Sequence, residues 1–292
     1  MPQRIGFAGL GLMGSRMARQ FLAKGFPLAV WNRSPERTEP LAAEGASVAR
    51  SPRELAETSD VVVTCVADPN AVARIVFADD GVRPAARPGF RYVETSTISP
   101  GLMRRIAEVL EGRGAEVLEA PVTGSRTGAE KGTLLLMVGG KKEILDELMP
   151  VLMAMGSKAI HCGPIGHGSV VKLVGNTLIS YMLEGFCEGL VVARKAGVDP
   201  DRLLEVVMAS GFSSPYYPFK AAAIAKGDYE QHFSVDLLVK DQGLMLDEAA
   251  SHKAPMPGLA ALREVFQAAR AQGFGQEDIA AVYKVIARNA GL

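Results

Sequence analysis

The chain has 292 residues, 48% of them hydrophobic, with 32 Lys and Arg balanced by 32 Asp and Glu. That length suits two domains with substantial cores, and a formal charge of zero argues against nucleic acid as a partner. No run approaches the roughly 18 apolar residues of a membrane span, which argues against a membrane partner. The opening Met1-Pro2-Gln3-Arg4 has no signal-peptide h-region. Cys65, Cys162 and Cys187 are widely spaced without a C-x-x-C, and read as buried small hydrophobes in a reducing cytoplasm. The four histidines show no ligand spacing, so no metal site is expected.

Arg4 to Ala8 reads as a short apolar strand, followed at once by Gly9-Leu10-Gly11-Leu12-Met13-Gly14 and a helical pattern from Ser15 to Ala23. G-x-G-x-x-G between a strand and a helix is the dinucleotide-binding arrangement. Gly9 permits the tight turn, Gly11 lets backbone approach a pyrophosphate, and Gly14 lets helix and strand pack closely. The free N–H groups near Leu12 and Met13, at the positive end of the helix, face the phosphates.

The strand Leu28 to Trp31 ends at Asn32-Arg33-Ser34, with Arg37 one turn on. A carboxylate usually stands here to bind the adenosine ribose. Two guanidinium groups and a hydroxyl in its place suit a 2′-phosphate, so NADP(H) is the expected cofactor. A solvated basic loop is the structural alternative.

Ser51-Pro52-Arg53-Glu54 is a capping box with proline at the first helical position. Asp60 to Val66 is a buried strand ending at Ala67-Asp68-Pro69, and Asn70 to Phe77 is helical. Arg91 to Glu94 is the next strand, ending at Thr95-Ser96-Thr97, and Ser99-Pro100 starts a helix to about Gly112. This alternation specifies an α/β fold with a parallel, doubly wound Rossmann sheet. Its ligands lie beyond the carboxyl ends of the strands, which puts Ala67 and Thr97 at the cofactor side. Thr97 could equally cap the helix from Ser99.

Val117-Leu118-Glu119 leads into Ala120-Pro121-Val122-Thr123-Gly124-Ser125, a strand end offering N–H groups and hydroxyls to an anion, or else an ordinary turn. Leu134 to Val138, a helix from Lys141 and a strand near Lys158 to Cys162 complete the sheet. Gly163-Pro164-Ile165-Gly166 reads as a boundary, giving a nucleotide domain over 1–164 and an all-α substrate and oligomerisation domain over 165–292.

A long, largely apolar helix spans Ser169 to about Lys195, and apolar residues around most of its circumference suit burial in a bundle or a dimer. Lys172 and Asn176 lie four residues apart on one face of it. A lysine and an amide side by side where two domains meet can hold and protonate a carbonyl oxygen. A snorkelling lysine beside a packing asparagine is the alternative. Asp199-Pro200 caps the next helix, which ends near Gly211, and Phe212 to Pro218 reads as an aromatic loop. A short helix to Lys226, one from Val235 to Ala250 carrying Lys240-Asp241, and helices from Leu259 and Glu277 close the chain.

These residues resemble the β-hydroxyacid dehydrogenase, or 3-hydroxyisobutyrate dehydrogenase, family over essentially the whole chain. Four ordered motifs carry the resemblance: Gly9-Leu10-Gly11-Leu12-Met13-Gly14 with Met17-Ala18, Thr123-Gly124 after Ala120-Pro121-Val122, Gly168-x-x-x-Lys172-x-x-x-Asn176, and Lys240-Asp241. The resemblance implies homodimers or homotetramers and makes Lys172 the catalytic acid, with Asn176 fixing lysine and substrate. It further implies that Thr123, Gly124 and Ser125 hold a substrate carboxylate, that Phe233 and Asp241 wall the pocket, and that Thr97 and Lys240 contact the cofactor. Asn32-Arg33-Ser34 and Glu119 to Ser125 look most like the glyoxylate and succinic semialdehyde reductase branch. Thr123 in place of serine, Arg126 in place of lysine and Gln20 in place of asparagine depart from that pattern. The implied reaction is NADPH-dependent reduction of a short carboxylate-bearing aldehyde to its hydroxy acid. The competing readings are a 3-hydroxyisobutyrate or tartronate semialdehyde dehydrogenase, with a second glycine at 125 and an acid at 32 or 33, and a non-catalytic dinucleotide-binding interaction module. Imine reductases share the architecture but generally lack a lysine at 172.

Overall fold

A computed structural model describes residues 3–292; Met1 and Pro2, the start of the opening read for a signal peptide, lie outside the described residues. Contacts divide the chain into two compact units, one up to Lys172 and one from Leu173 to Leu292. The first alternates β1 (Ile5–Ala8), α1 (Gly14–Ala23), β2 (Leu28–Trp31), α2 (Glu39–Ala43), β3 (Ser47–Val48), α3 (Pro52–Thr58), β4 (Val61–Thr64), α4 (Pro69–Phe77), β5 (Arg91–Glu94), α5 (Pro100–Glu111) and β6 (Glu116–Glu119). It continues through β7 (Val122–Thr123), α6 (Ser125–Lys131), β8 (Leu134–Gly140), α7 (Lys142–Met155) and β9 (Gly156–Gly163) into α8 (His167–Lys195).

β1 pairs with both β2 and β4, and β4, β5 and β6 follow in order, all parallel. Helices cover both faces, so a strand such as Val61-Val62-Val63 is apolar throughout. Val61 and Val63 pack with α1 and α7 around Met17, Phe21 and Leu148. Val62 packs on the other side with Leu55, Ile75 and Ile106 of α3, α4 and α5.

The sheet is not parallel throughout, however. β8 runs antiparallel to β6 and β7, and its two pairings share one register, Leu118 opposite Gly140 and Val122 opposite Leu136. β6 and β7 are therefore one line of chain interrupted at Ala120-Pro121. Proline has no N–H, yet its carbonyl still accepts from Met137 N. The connection into β8 holds only the short α6, less than the dozen or so residues that a parallel crossover takes, so the chain returns antiparallel. α7 then supplies a full crossover, and β9 lies parallel to β8.

Three local expectations need correction. Ser51 Oγ accepts from Glu54 N as a cap should, but the Glu54 carboxylate reaches back to Arg50 N rather than Ser51 N. Tyr216 to Pro218 belong to a helix, not a loop; Pro218 sits in the first turn, where a missing N–H costs nothing. Of the three cysteines, all free, only Cys187 is buried; Cys65 and Cys162 are half-buried.

The second unit is helical: the greater part of α8, then α9 (Pro200–Ala209), α10 (Tyr216–Lys226), α11 (Val235–Ser251), α12 (Pro257–Ala269) and α13 (Val282–Asn289). Leu183, Phe186 and Leu190 of α8 pack there with Leu238, Phe266 and Val282. Lys220 and Asp278, both nearly inaccessible, pair at 2.6 Å, and Asp278 also accepts from the N–H groups of His232 and Phe233. Among the described residues, no helix is long and apolar enough to cross a membrane.

At the carboxyl end of the sheet a buried Glu94 ties β4 to β5. Its carboxylate accepts from Thr64 Oγ1 at 2.6 Å, Tyr92 OH at 2.7 Å and Ser96 N at 2.8 Å. Ser96 Oγ in turn accepts from Val66 N, which draws the Ala67 and Thr97 loops together. Burial raises the Glu94 carboxyl above its ordinary 4.5, against the pull of Ser96, Thr64 and Tyr92. The folded chain thus holds this proton more tightly than the unfolded chain does. The associated stability is complete below 4.5 and is lost as pH rises through the folded value. Glu94→Gln lacks this dependence. Its melting temperature minus that of the parent chain is expected to fall as pH drops from 8 towards 4.5; a constant difference would show that Glu94 is not protonated in that window.

Candidate functional site

The turn after β1 has the shape a pyrophosphate needs. Gly9 has φ +98°, and a Cβ there would strike Cys65 O and Val66. A Cβ on Gly14 would strike Gly9 O, so the start of α1 lies directly on the turn. At Gly11 the Cβ would meet nothing within 4 Å, leaving the backbone between Leu10 and Leu12 approachable. No side chain caps α1 at Met13, so the N–H groups of its first turn keep their positive field for an anion. These residues fit a bound dinucleotide.

Asn32 is tied into this turn. Its Oδ1 accepts from Leu10 N at 2.9 Å and its Nδ2 donates to Ser34 O at 2.9 Å. Sequence reasoning placed Asn32 among the cofactor contacts; the structure uses its amide to lock the glycine turn onto the tip of β2. Arg33 and Arg37 are exposed, Ser34 half-buried. Arg4, Arg19, Arg50 and Arg53 all have carboxylate partners. Among the described residues, the Arg33 and Arg37 side chains have none. Ala67 and Thr97 lie on the same edge, joined through the Val66–Ser96 bond. The helix cap that Thr97 might have supplied comes from Ser99, whose Oγ accepts from Leu102 N at 3.2 Å.

One residue to which sequence reasoning assigned no site role dominates the far side of this edge. Glu119, at the end of β6 and 1% exposed, accepts from Gly166 N at 2.6 Å, Gly168 N at 2.8 Å, Ser169 N at 3.1 Å and Ser169 Oγ. These donors are the residue just before α8 and two residues of its first turn. Burial raises the Glu119 carboxyl, opposed by the four donors. Its sequence signal was faint: an acid ending an apolar strand before Ala-Pro.

Along α8, Gly168, Lys172 and Asn176 recur every four residues and share a face. Lys172 is half-buried and Asn176 buried. Asn176 Nδ2 donates to Asp241 Oδ2 at 2.6 Å, which fixes the amide's orientation because a carboxylate only accepts. The other carboxylate oxygen lies 3.0 Å from Lys240 Nζ. It is close enough for an ion pair but off the line of a hydrogen bond, so Oδ1 has no directed donor. Asn176, Lys240 and Asp241 thus form one cluster. Phe233 is partly buried against the helical core, and its N–H is held by Asp278.

Thr123, Gly124 and Ser125 are exposed between β7 and α6. Gly124 has φ +136° and Ser125 φ +59°, a left-handed position that a β-carbon disfavours. Gln20, a departure from the family pattern, donates to Glu130 O at the other end of α6. Among the described residues, no group of three or more His, Cys, Asp or Glu is placed to hold a metal ion.

Two family models match in succession. The NAD binding domain of 6-phosphogluconate dehydrogenase matches residues 4–163, and the NAD-binding domain of NADP-dependent 3-hydroxyisobutyrate dehydrogenase matches 166–286. The chain is 33% identical to glyoxylate/succinic semialdehyde reductase 1 of Arabidopsis thaliana, over 97% of this chain and 98% of that one. Among solved structures it is similar to Mycobacterium tuberculosis 3-hydroxyisobutyrate dehydrogenase with L-serine: TM-score 0.90, 30% identity, 98% of this chain and 99% of that one. It is also similar to Psf3 in complex with NADP+ and 2-OPP: TM-score 0.87, 26% identity, covering 97% and 99%.

The strain at Ser125 has a measurable consequence. Ser125→Gly removes the left-handed penalty, about 1–2 kcal/mol, less the backbone entropy of glycine, about 0.5–1 kcal/mol. A net stabilisation of up to about 1.5 kcal/mol, read from the denaturant midpoint, is expected; clear destabilisation would mean that the Ser125 hydroxyl holds the loop.

Proposed function

The chain belongs to the NAD(P)-dependent β-hydroxyacid dehydrogenase family of oxidoreductases, and from that premise we propose that it reduces a short carboxylate-bearing aldehyde with NADPH, succinic semialdehyde or glyoxylate being the substrates of choice. The observation that carries this reading is the Lys172–Asn176 face of α8, whose amide is oriented by the buried Asp241. The division of labour is a nucleotide domain over 1–164 and a substrate and oligomerisation domain over 165–292, acting in the cytoplasm.

Bound NADPH supplies the hydride. Lys172 stabilises the negative charge that grows on the carbonyl oxygen and donates the proton, and it takes the proton back when an alcohol is oxidised. General acid help of this kind is worth about 10²–10⁴ in rate. Asn176 holds lysine and substrate in register, and Asp241 keeps its amide from turning. The exposed N–H groups and hydroxyls of Thr123, Gly124 and Ser125 take the substrate carboxylate. Phe233 and Asp241 close the pocket, and Ala67, Thr97 and Lys240 border the cofactor. The likeness to 3-hydroxyisobutyrate dehydrogenase favours a second reading, oxidation of a 3-hydroxy acid. Against it stand Ser125, where a glycine would be expected, and the missing acid at 32 and 33.

Preference for NADPH rests on Arg33 and Arg37, two guanidinium groups beside Ser34 at the tip of β2 that have no carboxylate partner among the described residues. A homodimer or homotetramer is supported by α8 itself. Val174, Leu178, Tyr181 and Val192 form an exposed stripe, Leu178 at 57% and Val192 at 68%, and Gly185 and Gly189 on the same side allow close approach.

Two sets of variants test this reading. A charge-assisted hydrogen bond is worth about 1.5–3 kcal/mol, so Arg33→Ala with Arg37→Ala is expected to raise the NADPH dissociation constant tenfold or more and to leave NADH nearly unchanged. Asn32→Ala, which frees the glycine turn, is expected to weaken both cofactors alike. Equal losses of NADPH and NADH in the double arginine variant would refute 2′-phosphate recognition. Lys172→Ala is expected to keep NADPH binding and lose at least a hundredfold in turnover on succinic semialdehyde, glyoxylate, tartronate semialdehyde or methylmalonate semialdehyde, whichever is turned over fastest. Near-normal turnover in that variant would reassign the acid, and no turnover by the parent chain on the whole panel would favour a binding module.

A further inference from the structure

We infer that Glu119 is a positioning residue for the proposed reaction: its buried carboxylate sets where α8 begins and so where Lys172 stands relative to the Thr123-Gly124-Ser125 loop. The inference rests on the reading of Lys172 as proton donor and adds to it a residue that touches neither substrate nor cofactor.

A helix N-terminus needs only a nearby Ser, Thr, Asp or Asn to satisfy one or two of its N–H groups. Here the acceptor comes from 47 to 50 residues earlier in the chain, on a sheet strand. It takes three N–H groups and a hydroxyl at once and is almost wholly buried. A local cap would stabilise the helix but leave it free to slide or turn. A remote cap pins it to β6, along its axis and in rotation, because the donors belong to three different residues of one turn.

The surroundings leave no slack. A Cβ on Gly139 would collide with the Glu119 carboxylate, and a Cβ on Gly168 would collide with Met137 O and lie 3.1 Å from Gly139 N. The first turn of α8 therefore lies flush on β8 with the carboxylate between them. Lys172 is one turn beyond Gly168 on the same face, and helical side chains lean back towards the N-terminus. A small slip at Glu119 is thus carried directly to the lysine ammonium. Glu119 is also the last residue before Ala120-Pro121, which lead into Thr123. One side chain links the loop that takes the substrate carboxylate to the helix that protonates the substrate carbonyl.

The test uses the full chain, NADPH and the aldehyde turned over fastest in the panel. Cofactor affinity is read from quenching of Trp31, the one tryptophan of the sequence. Glu119→Gln puts an N–H₂ group where two donors need an acceptor. It is expected to lower kcat 10- to 100-fold, with KM and the NADPH dissociation constant changed no more than about threefold. The isotope effect from deuterated NADPH is expected to rise, and Glu119→Asp to recover part of the loss. In a Lys172→Ala background, Glu119→Gln is expected to cost almost nothing more, because it acts through the lysine. A role confined to folding would instead act through a smaller active fraction and give two signs: kcat per bound cofactor stays intact, and the loss adds in full in that background. Either of these two signs overturns the inference. Should Glu119→Gln not fold, Ser169→Ala removes a single donor, and a several-fold fall in kcat is then required; unchanged kcat overturns the inference. If Lys172→Ala is inactive while Glu119→Gln is fully active, only this inference fails. If Lys172→Ala remains active, the proposed mechanism fails first.

Discussion

The buried carboxylate of Glu119 is the contact on which the first unit's functional edge depends. Taking an ion out of water without a counter-ion is costly, and this acid accepts only neutral donors. What offsets the cost is the first turn of α8, whose N–H groups have no intrahelical acceptor and carry the positive end of a 29-residue dipole. Each side resolves the other's unsatisfied polar groups. The arrangement works only because glycines stand at 139 and 168, where a Cβ would strike the Glu119 carboxylate or the backbone of β8.

The same device recurs on the neighbouring strand. Glu94 stands beside Glu119 in the register of β5 and β6, and it gathers donors from the end of β4, from β5 and from the segment that leaves β5. Glu94 draws the β4 and β5 exits together; Glu119 draws in the start of α8. Both are raised by burial, and both lie at the carboxyl edge where an open α/β sheet receives its ligands. Asn32 does the equivalent work without charge at β2. Two buried carboxyls and one half-buried amide thus hold loops that, left to themselves, would be mobile.

The edge's electrostatics divide accordingly. The buried Glu94 and Glu119 are held by hydroxyls and backbone N–H groups, whereas Arg33 and Arg37 remain exposed and, among the described residues, without carboxylate partners. In a chain of zero net charge, that pair of guanidinium groups is a local feature of the tip of β2. In the helical unit the Asn176–Asp241–Lys240 cluster follows the same logic: Asp241 is buried, and its two oxygens are divided between an amide and an ammonium.

The sequence by itself determined most of the elements, their order and the chemistry on offer, though not β3, α6 or the helical start at Tyr216. Short-range rules suffice for these: a glycine pattern between strand and helix, apolar runs of strand length, and residues four apart on a helix. It therefore placed β1, β2 and β5 almost to the residue, and it marked Gly9, Gly11, Gly14, Lys172 and Asn176 from spacing alone. Only the tertiary structure decided what holds them. That Glu119 meets Gly168 and Ser169, that Asn32 braces Leu10, that Asp241 orients Asn176 and that β8 returns antiparallel all depend on contacts between residues up to 65 positions apart. No local pattern encodes such pairings, because their energy comes from removing both partners from water together.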